Sequence, residues 1–144
     1  MNTDTVNILL VEDDDVDAEA IERAFEKAKI ANPVFRARDG LEALEMLRAK
    51  GADEIARPYI VLLDLKMPRM NGLAFLDEIR LDEDLRDSVV FVLTTSAAEK
   101  DVSAAYEKYV AGYIVKSQVG SSFKDLIGLL DYYWRVVALP TAAH

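Results

Sequence analysis

The sequence contains no cysteine in its 144 residues. That removes disulfide frameworks, thiolate zinc sites and cysteine nucleophiles together, and it suits a reducing compartment. The only histidine, His144, stands at the last position, a poor place for a phosphohistidine relay. No apolar run approaches the roughly 20 residues that a membrane-spanning helix needs. Residues 1–6 offer neither a basic segment nor a long apolar one, so no secretory leader is expected, and the chain reads as soluble and cytoplasmic. Positive charge is scarce as well: 17 Lys and Arg stand against 26 Asp and Glu, for a net charge of −9. Nucleic-acid binding requires clustered Lys and Arg to displace counterions from phosphates, so direct contact with DNA is not expected. A site that handles phosphate in this acidic field needs a cation to offset the repulsion.

What the sequence does have is a regular alternation. Short apolar runs at residues 6–11, 33–37, 59–63, 89–93 and 112–115 are rich in Val, Ile and Leu, as strands buried on both faces require. Stretches of helical period separate them, which is how βα units of a parallel sheet read. The pattern predicts an α/β fold, a (βα)5 doubly wound parallel five-stranded sheet, in one domain with its core at about 6–139 and a tail at 140–144. A chain of this size buries most of its apolar surface without disulfides or a structural metal. The helix faces read as Val16, Ala20, Ala24 and Phe25; then Leu41, Leu44 and Leu47; then Leu73, Leu76 and Ile79; then Val102, Ala105, Tyr106, Tyr109 and Val110.

The last helix is expected to start at Ser121 or Ser122, either of which can cap it, and to run to about Leu139 before Pro140. It carries two apolar stripes. Phe123, Leu126, Ile127, Leu130, Trp134 and Val137 form one; Leu129, Tyr132, Tyr133, Val136 and Leu139 form the other. One stripe suffices for a core, so the second predicts a homodimer through this helix.

In a doubly wound sheet, ligands collect beyond the carboxyl ends of the strands. The residues there are Glu12, Asp13, Asp14 and Asp15 after the first strand, Asp64 after the third, Thr94 and Thr95 after the fourth, and Lys116 after the fifth. Carboxylates that converge repel one another unless a cation sits among them. Mg²⁺ takes oxygen ligands and needs one or two protein carboxylates, which Asp13, Asp64 and a water-linked Glu12 can supply. An Asp carboxylate beside a cation and a Lys ammonium suits phosphoryl chemistry. The Asp attacks phosphorus to form an acyl phosphate while the two cations offset charge on the transferred oxygens. Asp14, Asp15 and Asp17 read as first-turn acids favoured by the helix dipole.

The segments Val11-Glu12-Asp13, Leu63-Asp64-Leu65-Lys66-Met67-Pro68-Arg69-Met70-Asn71-Gly72, Leu93-Thr94 and Tyr113-Ile114-Val115-Lys116 resemble the receiver domains of two-component response regulators. The resemblance spans nearly the whole chain and implies the flavodoxin-like receiver fold. It also implies Asp64 as phosphoacceptor, Glu12 and Asp13 as the acidic metal pair, and the Lys66 backbone carbonyl as a further metal ligand. Thr94 becomes the switch hydroxyl, Tyr113 the switch aromatic and Lys116 the phosphate-facing lysine. Thr94 is preferred to Thr95 because its separation from Lys116 fits the receiver spacing. The implied cofactor is Mg²⁺ or Mn²⁺, the implied donor a histidine kinase, and the implied output a change in the surface of helix four, strand five and helix five. No effector domain is expected after the receiver, so output passes through a partner or another copy. Ser117 stands where many receivers have proline, so a cis peptide after Lys116 is not assured.

Residues 50–57, Leu93-Thr94-Thr95-Ser96, Lys116-Ser117 and Tyr132-Tyr133-Trp134-Arg135-Val136-Val137-Ala138-Leu139-Pro140 resemble the small single-domain regulators paired with bacterial phytochrome histidine kinases. That resemblance implies a light-sensing bacteriophytochrome as phosphodonor. Two rivals compete. A phosphatase or mutase of haloacid dehalogenase type wants a second acid two residues after its nucleophile, where this chain has Lys66. A flavodoxin-like cofactor binder wants a first loop rich in Ser, Thr and Gly, and this one is acidic. The expectation is a signalling domain whose only chemistry is its own phosphorylation and dephosphorylation.

Overall fold

The computed structural model describes residues 5–120 and 122–141. Its elements run β1 (Asn7–Val11), α1 (Asp15–Lys27), β2 (Val34–Ala37), α2 (Gly40–Arg48), β3 (Tyr59–Leu63), α3 (Gly72–Leu81), β4 (Val89–Thr94), α4 (Glu99–Glu107), β5 (Gly112–Val115) and α5 (Lys124–Val136), with 3₁₀ turns at Gly51–Asp53 and Lys116–Gln118. All strand pairs are parallel, in the order β2-β1-β3-β4-β5. The chain order reverses at β1, which makes the carboxyl ends of β1 and β3 the switch point of the sheet.

Alternation along the strands divides the interior in two. Leu9, Val11, Val61, Leu63, Val90 and Val92 point to one face and pack with α2, α3 and Ala105 of α4. Ile8, Leu10, Ile60, Leu62, Phe91 and Leu93 point to the other, where α1 and α5 lie. The central strand β3 is buried at every residue, while β2 and β5 at the edges are only partly covered. Among the described residues no helix is long and apolar enough to cross a membrane.

The predicted strands occur where expected, and β3 and β5 have the predicted bounds. In α2 Leu41 falls outside the buried face, which consists of Gly40, Ala43, Leu44 and Leu47, and three further helix faces need correction. In α1, Asp14 caps the helix by accepting from the N–H groups of Val16 and Asp17. That sets its rotation so that Ala18, Ile21, Ala24 and Phe25 are buried and Val16 is 75% exposed. In α4 the helical period stops early. Tyr109 adopts φ 64° just past the C-cap at Lys108 and is 80% exposed, and Tyr106 also faces outward, so neither tyrosine belongs to the core.

The third correction concerns α5. Ser121 lies outside the described residues, and Ser122 does not cap the helix. Phe123 holds the N-cap position with φ 55° and a buried ring, and no side chain caps the end. The helix stops at Val136 because Val137 turns extended, which takes Leu139 out of the helical frame and folds it onto the core. Tyr133 is likewise removed from the outer stripe: its ring meets Phe91 edge-on, with centroids 4.9 Å apart and planes at 89°. Leu129, Tyr132 and Val136 alone remain exposed.

Candidate functional site

Sheet register assembles the site. Val11 pairs with Leu63, so Glu12 and Asp64 leave neighbouring strands side by side. The Glu12 N–H still donates to the Ala37 carbonyl at 2.9 Å, and the Asp64 N–H to that of Val11 at 3.0 Å. Both residues are therefore held by the ends of the ladder, not by free loops. Beyond Asp64 the chain doubles back into α3, where Asn71 caps the helix by accepting from Ala74 N–H. Gly72 sits against the turn: a Cβ there would lie 2.5 Å from the Asp64 carbonyl oxygen and 2.8 Å from Leu65 Cα. Only glycine lets α3 press this closely on the Asp64 backbone.

The far side of the same loop is tied to α2. Arg69, at φ 61°, donates from Nε to Asp39 Oδ2 at 2.5 Å, while Asp39 Oδ1 caps α2 through Glu42 N–H at 2.9 Å. The guanidinium holds the Asp39 carboxyl below the usual carboxylate range, and the cap adds to this. The Gly40 N–H completes the tie by donating to the Met70 carbonyl at 3.0 Å.

Within this frame Asp64 is nearly buried and engaged on both oxygens. Oδ1 accepts from Thr94 Oγ1 at 2.8 Å and from the Lys66 N–H at 3.3 Å; Oδ2 lies 3.5 Å from Lys116 Nζ. Thr94 is buried and Thr95 is exposed, so Thr94 is the hydroxyl that faces Asp64. Lys116 reaches further, to Glu12 Oε1 and to Asp17 Oδ2, each at 2.7 Å. Carboxylate oxygens of Glu12, Asp13 and Asp64 lie within 4.8 Å of one another, with Asp13 on the exposed rim. The peptide after Lys116 is trans, since Arg57–Pro58 is the only cis bond among the described residues.

Burial pushes the Glu12 carboxyl up to about 7; the Lys116 hydrogen bond opposes that and the Asp64 charge adds to it. For Lys116, burial pulls the pKa down, but the hydrogen bonds to Asp17 and Glu12 outweigh it and raise the net value, so the ammonium persists. Three carboxylates around one point, with only oxygen donors, fit a hard divalent cation. Its charge would offset the Asp64 repulsion that adds to the effect of burial on Glu12.

The acidic run after β1 divides its labour. Asp13 joins the carboxylate group, Asp14 caps α1, and Asp15 pairs with Arg36 at 2.7 Å and Arg38 at 2.8 Å. Arg36 also donates twice to the Glu12 carbonyl. Asp17, read from sequence as a helix-dipole acid, instead accepts from Lys116 Nζ, a contact between residues 99 apart that no local pattern signals. Tyr113 lies apart from the carboxylates, its hydroxyl donating to the Ser96 carbonyl at 2.8 Å in the loop after β4. Ser96 Oγ in turn donates to Asp101 Oδ2 at 2.5 Å.

Comparison with known proteins identifies the family of the chain. The sequence matches the response regulator receiver domain family over residues 8–127. The response regulator Rcp1 of Synechocystis sp. (strain ATCC 27184 / PCC 6803 / Kazusa) is 38% identical over 137 residues, which cover 94% of this chain and 93% of Rcp1. The Mn(2+)-bound form of Rcp1 superposes with a TM-score of 0.81 at 35% identity, covering 95% of this chain and 99% of that one. The phosphorylated cyanobacterial phytochrome response regulator RcpA gives a TM-score of 0.84 at 34% identity, with 95% and 99% covered. The bacteriophytochrome response regulator RtBRR gives 0.76 at 37% identity, with 98% and 85% covered.

Proposed function

The chain belongs to the response regulator receiver domain family, which signals by phosphorylation, and within that family we propose that Asp64 is the residue that accepts the phosphoryl group. The observation that carries this is the position of its carboxylate. A buried hydroxyl, a lysine ammonium and two further carboxylates converge on it at the switch point of the sheet. In the transfer, an Asp64 oxygen forms a bond to phosphorus as the bond from phosphorus to the donor nitrogen breaks, and the donor imidazole leaves. Lys116 offsets charge on the transferred oxygens. We assign the cation as Mg²⁺, with Mn²⁺ as a substitute, held by Glu12, Asp13, Asp64 and the Lys66 carbonyl. Its contribution when bound is further charge neutralisation at the phosphoryl group.

The Thr94 hydroxyl, resting on Asp64, turns to a phosphoryl oxygen once one is present, and the loop after β4 follows it. Tyr113 is bonded to that loop through Ser96, so the movement passes to the surface of α4, β5 and α5 as a population shift between two packings. The donor is a histidine kinase, and similarity to RcpA and RtBRR supports a phytochrome of bacterial type in that role. A cysteine-free chain that depends on such a kinase belongs in the cytoplasm. The exposed Leu129, Tyr132 and Val136 of α5 support a homodimer through that helix.

Incubation with acetyl phosphate and Mg²⁺, followed by intact mass, tests the assignment. The wild type gains one phosphoryl group and Asp64→Asn gains none. An unmodified wild type, or an equally modified Asp64→Asn, overturns it.

A further inference from the structure

Lys116 is held more firmly than its approach to Asp64 alone would require. An ammonium has three donors. Two are spent on Glu12 Oε1 and Asp17 Oδ2 at 2.7 Å, while Asp64 Oδ2 waits at 3.5 Å, beyond a good charge-assisted hydrogen bond. The third donor is thus left with only the long approach to Asp64 Oδ2.

The two anchors are not equivalent. Glu12 belongs to the carboxylate group that fits a cation, and its second oxygen accepts the Asp14 N–H at 3.2 Å. Any cation drawn into that group competes with Lys116 for the Glu12 charge. Asp17 lies outside the group, on the first turn of α1, with its side chain 31% exposed. It is the partner that stays with the lysine when Glu12 is engaged elsewhere. Backbone rigidity does not replace it, because Lys116 opens a short 3₁₀ turn and is followed by Ser117, not by a ring-locked proline.

We infer that Asp17 is a positioning residue, which fixes the Lys116 ammonium so that its remaining N–H meets the phosphoryl oxygen on Asp64. The inference rests on the assignment of Asp64 as phosphoacceptor. It also predicts a sign that charge alone would reverse. A carboxylate near an anion site repels the anion, so removing one that did nothing else would tighten binding. Removing an anchor that orients the lysine loosens it.

The test uses beryllofluoride with Mg²⁺ as a non-covalent phosphoryl mimic, titrated calorimetrically into the wild type and Asp17→Ala. Amine acetylation of Lys116 is followed by peptide mass spectrometry in the metal-free proteins. Asp17→Ala is expected to weaken beryllofluoride binding about fivefold or more, the scale of coupling between residues in direct contact, and to speed Lys116 acetylation. Unchanged or tighter binding overturns the inference, as does weaker binding with no change at Lys116. A wild type that does not bind beryllofluoride removes the Asp64 assignment itself, and the inference with it. If Asp17→Ala does not fold, Asp17→Leu, which likewise has no acceptor for the ammonium, carries the same test.

Discussion

Thr94 Oγ1 donates to Asp64 Oδ1 at 2.8 Å, with both side chains buried at the carboxyl ends of adjacent strands. The bond occupies an oxygen whose other partner, the Lys66 N–H, is more distant at 3.3 Å. Thr94→Ala therefore leaves a buried carboxylate oxygen poorly satisfied, at a cost of about 1–3 kcal/mol in stability. On the proposed mechanism it also removes the hydroxyl that turns to the phosphoryl oxygen and draws the loop after β4 with it. Backbone amide spectra with beryllofluoride and Mg²⁺ should show shifts confined to the site in Thr94→Ala, against shifts extending through α4, β5 and α5 in the wild type. Equal spread in both proteins would remove Thr94 from the switch.

The bond from Tyr113 to the Ser96 carbonyl, at 2.8 Å, tethers β5 to that loop. Tyr113→Phe keeps the ring and its packing and deletes only the hydroxyl, a change worth about 0.5–1.5 kcal/mol. Amide exchange in residues 95–98 should become faster in the metal-free protein, because the loop loses its hold on β5. Protection as high as in the wild type would show that the tether does not order the loop.

Much of this architecture was legible in the order of residues because parallel strands must be apolar on both faces. Tyr59–Leu63 is buried throughout, and no other element type suits so short an uninterrupted run between helical periods. The strand-end residues were legible for the same reason: once strand ends are known, Glu12, Asp64, Thr94 and Lys116 fall at one edge. Helix ends were harder to read. Periodicity says which residues share a face but not where the helix stops. Tyr109 and Phe123 end or begin helices at positive φ without the glycine that usually announces such a position. The bond from Asp17 to Lys116 joins α1 to the end of β5 across 99 residues, a distance over which local pattern carries no information.

Asp39 offers a pH test of the loop that follows Asp64. Its carboxylate caps α2 and binds Arg69, and its folded pKa lies below the unfolded value of 3.8. A depressed carboxyl contributes stability that is fully present above the unfolded pKa and is lost as pH falls through the folded one. Asp39→Ala should cost about 1–2 kcal/mol near neutral pH, as a lost N-cap does. The gap between the two proteins in urea denaturation should narrow as the pH falls below about 4. A gap that stays constant through that range would mean that Asp39 acts through packing alone.

Tyr132 and Tyr133 are neighbours in α5 with opposite surroundings. Tyr132 is 68% exposed beside Leu129 and Val136, whereas Tyr133 packs edge-on against Phe91 over the core. If α5 pairs with a second copy, Tyr132→Ser combined with Val136→Ser shifts the mass by light scattering toward the monomer and leaves monomer stability within about 0.5 kcal/mol, as for exposed positions generally. Tyr133→Ala acts on the fold instead. It removes an aromatic pair and part of the apolar contact over β4, which should destabilise the monomer by about 2 kcal/mol. Wild-type protein that stays monomeric at high concentration, with and without beryllofluoride, would refute the dimer. Loss of stability in the Tyr132 and Val136 variant comparable to that of Tyr133→Ala would show that the outer stripe is already covered within one chain.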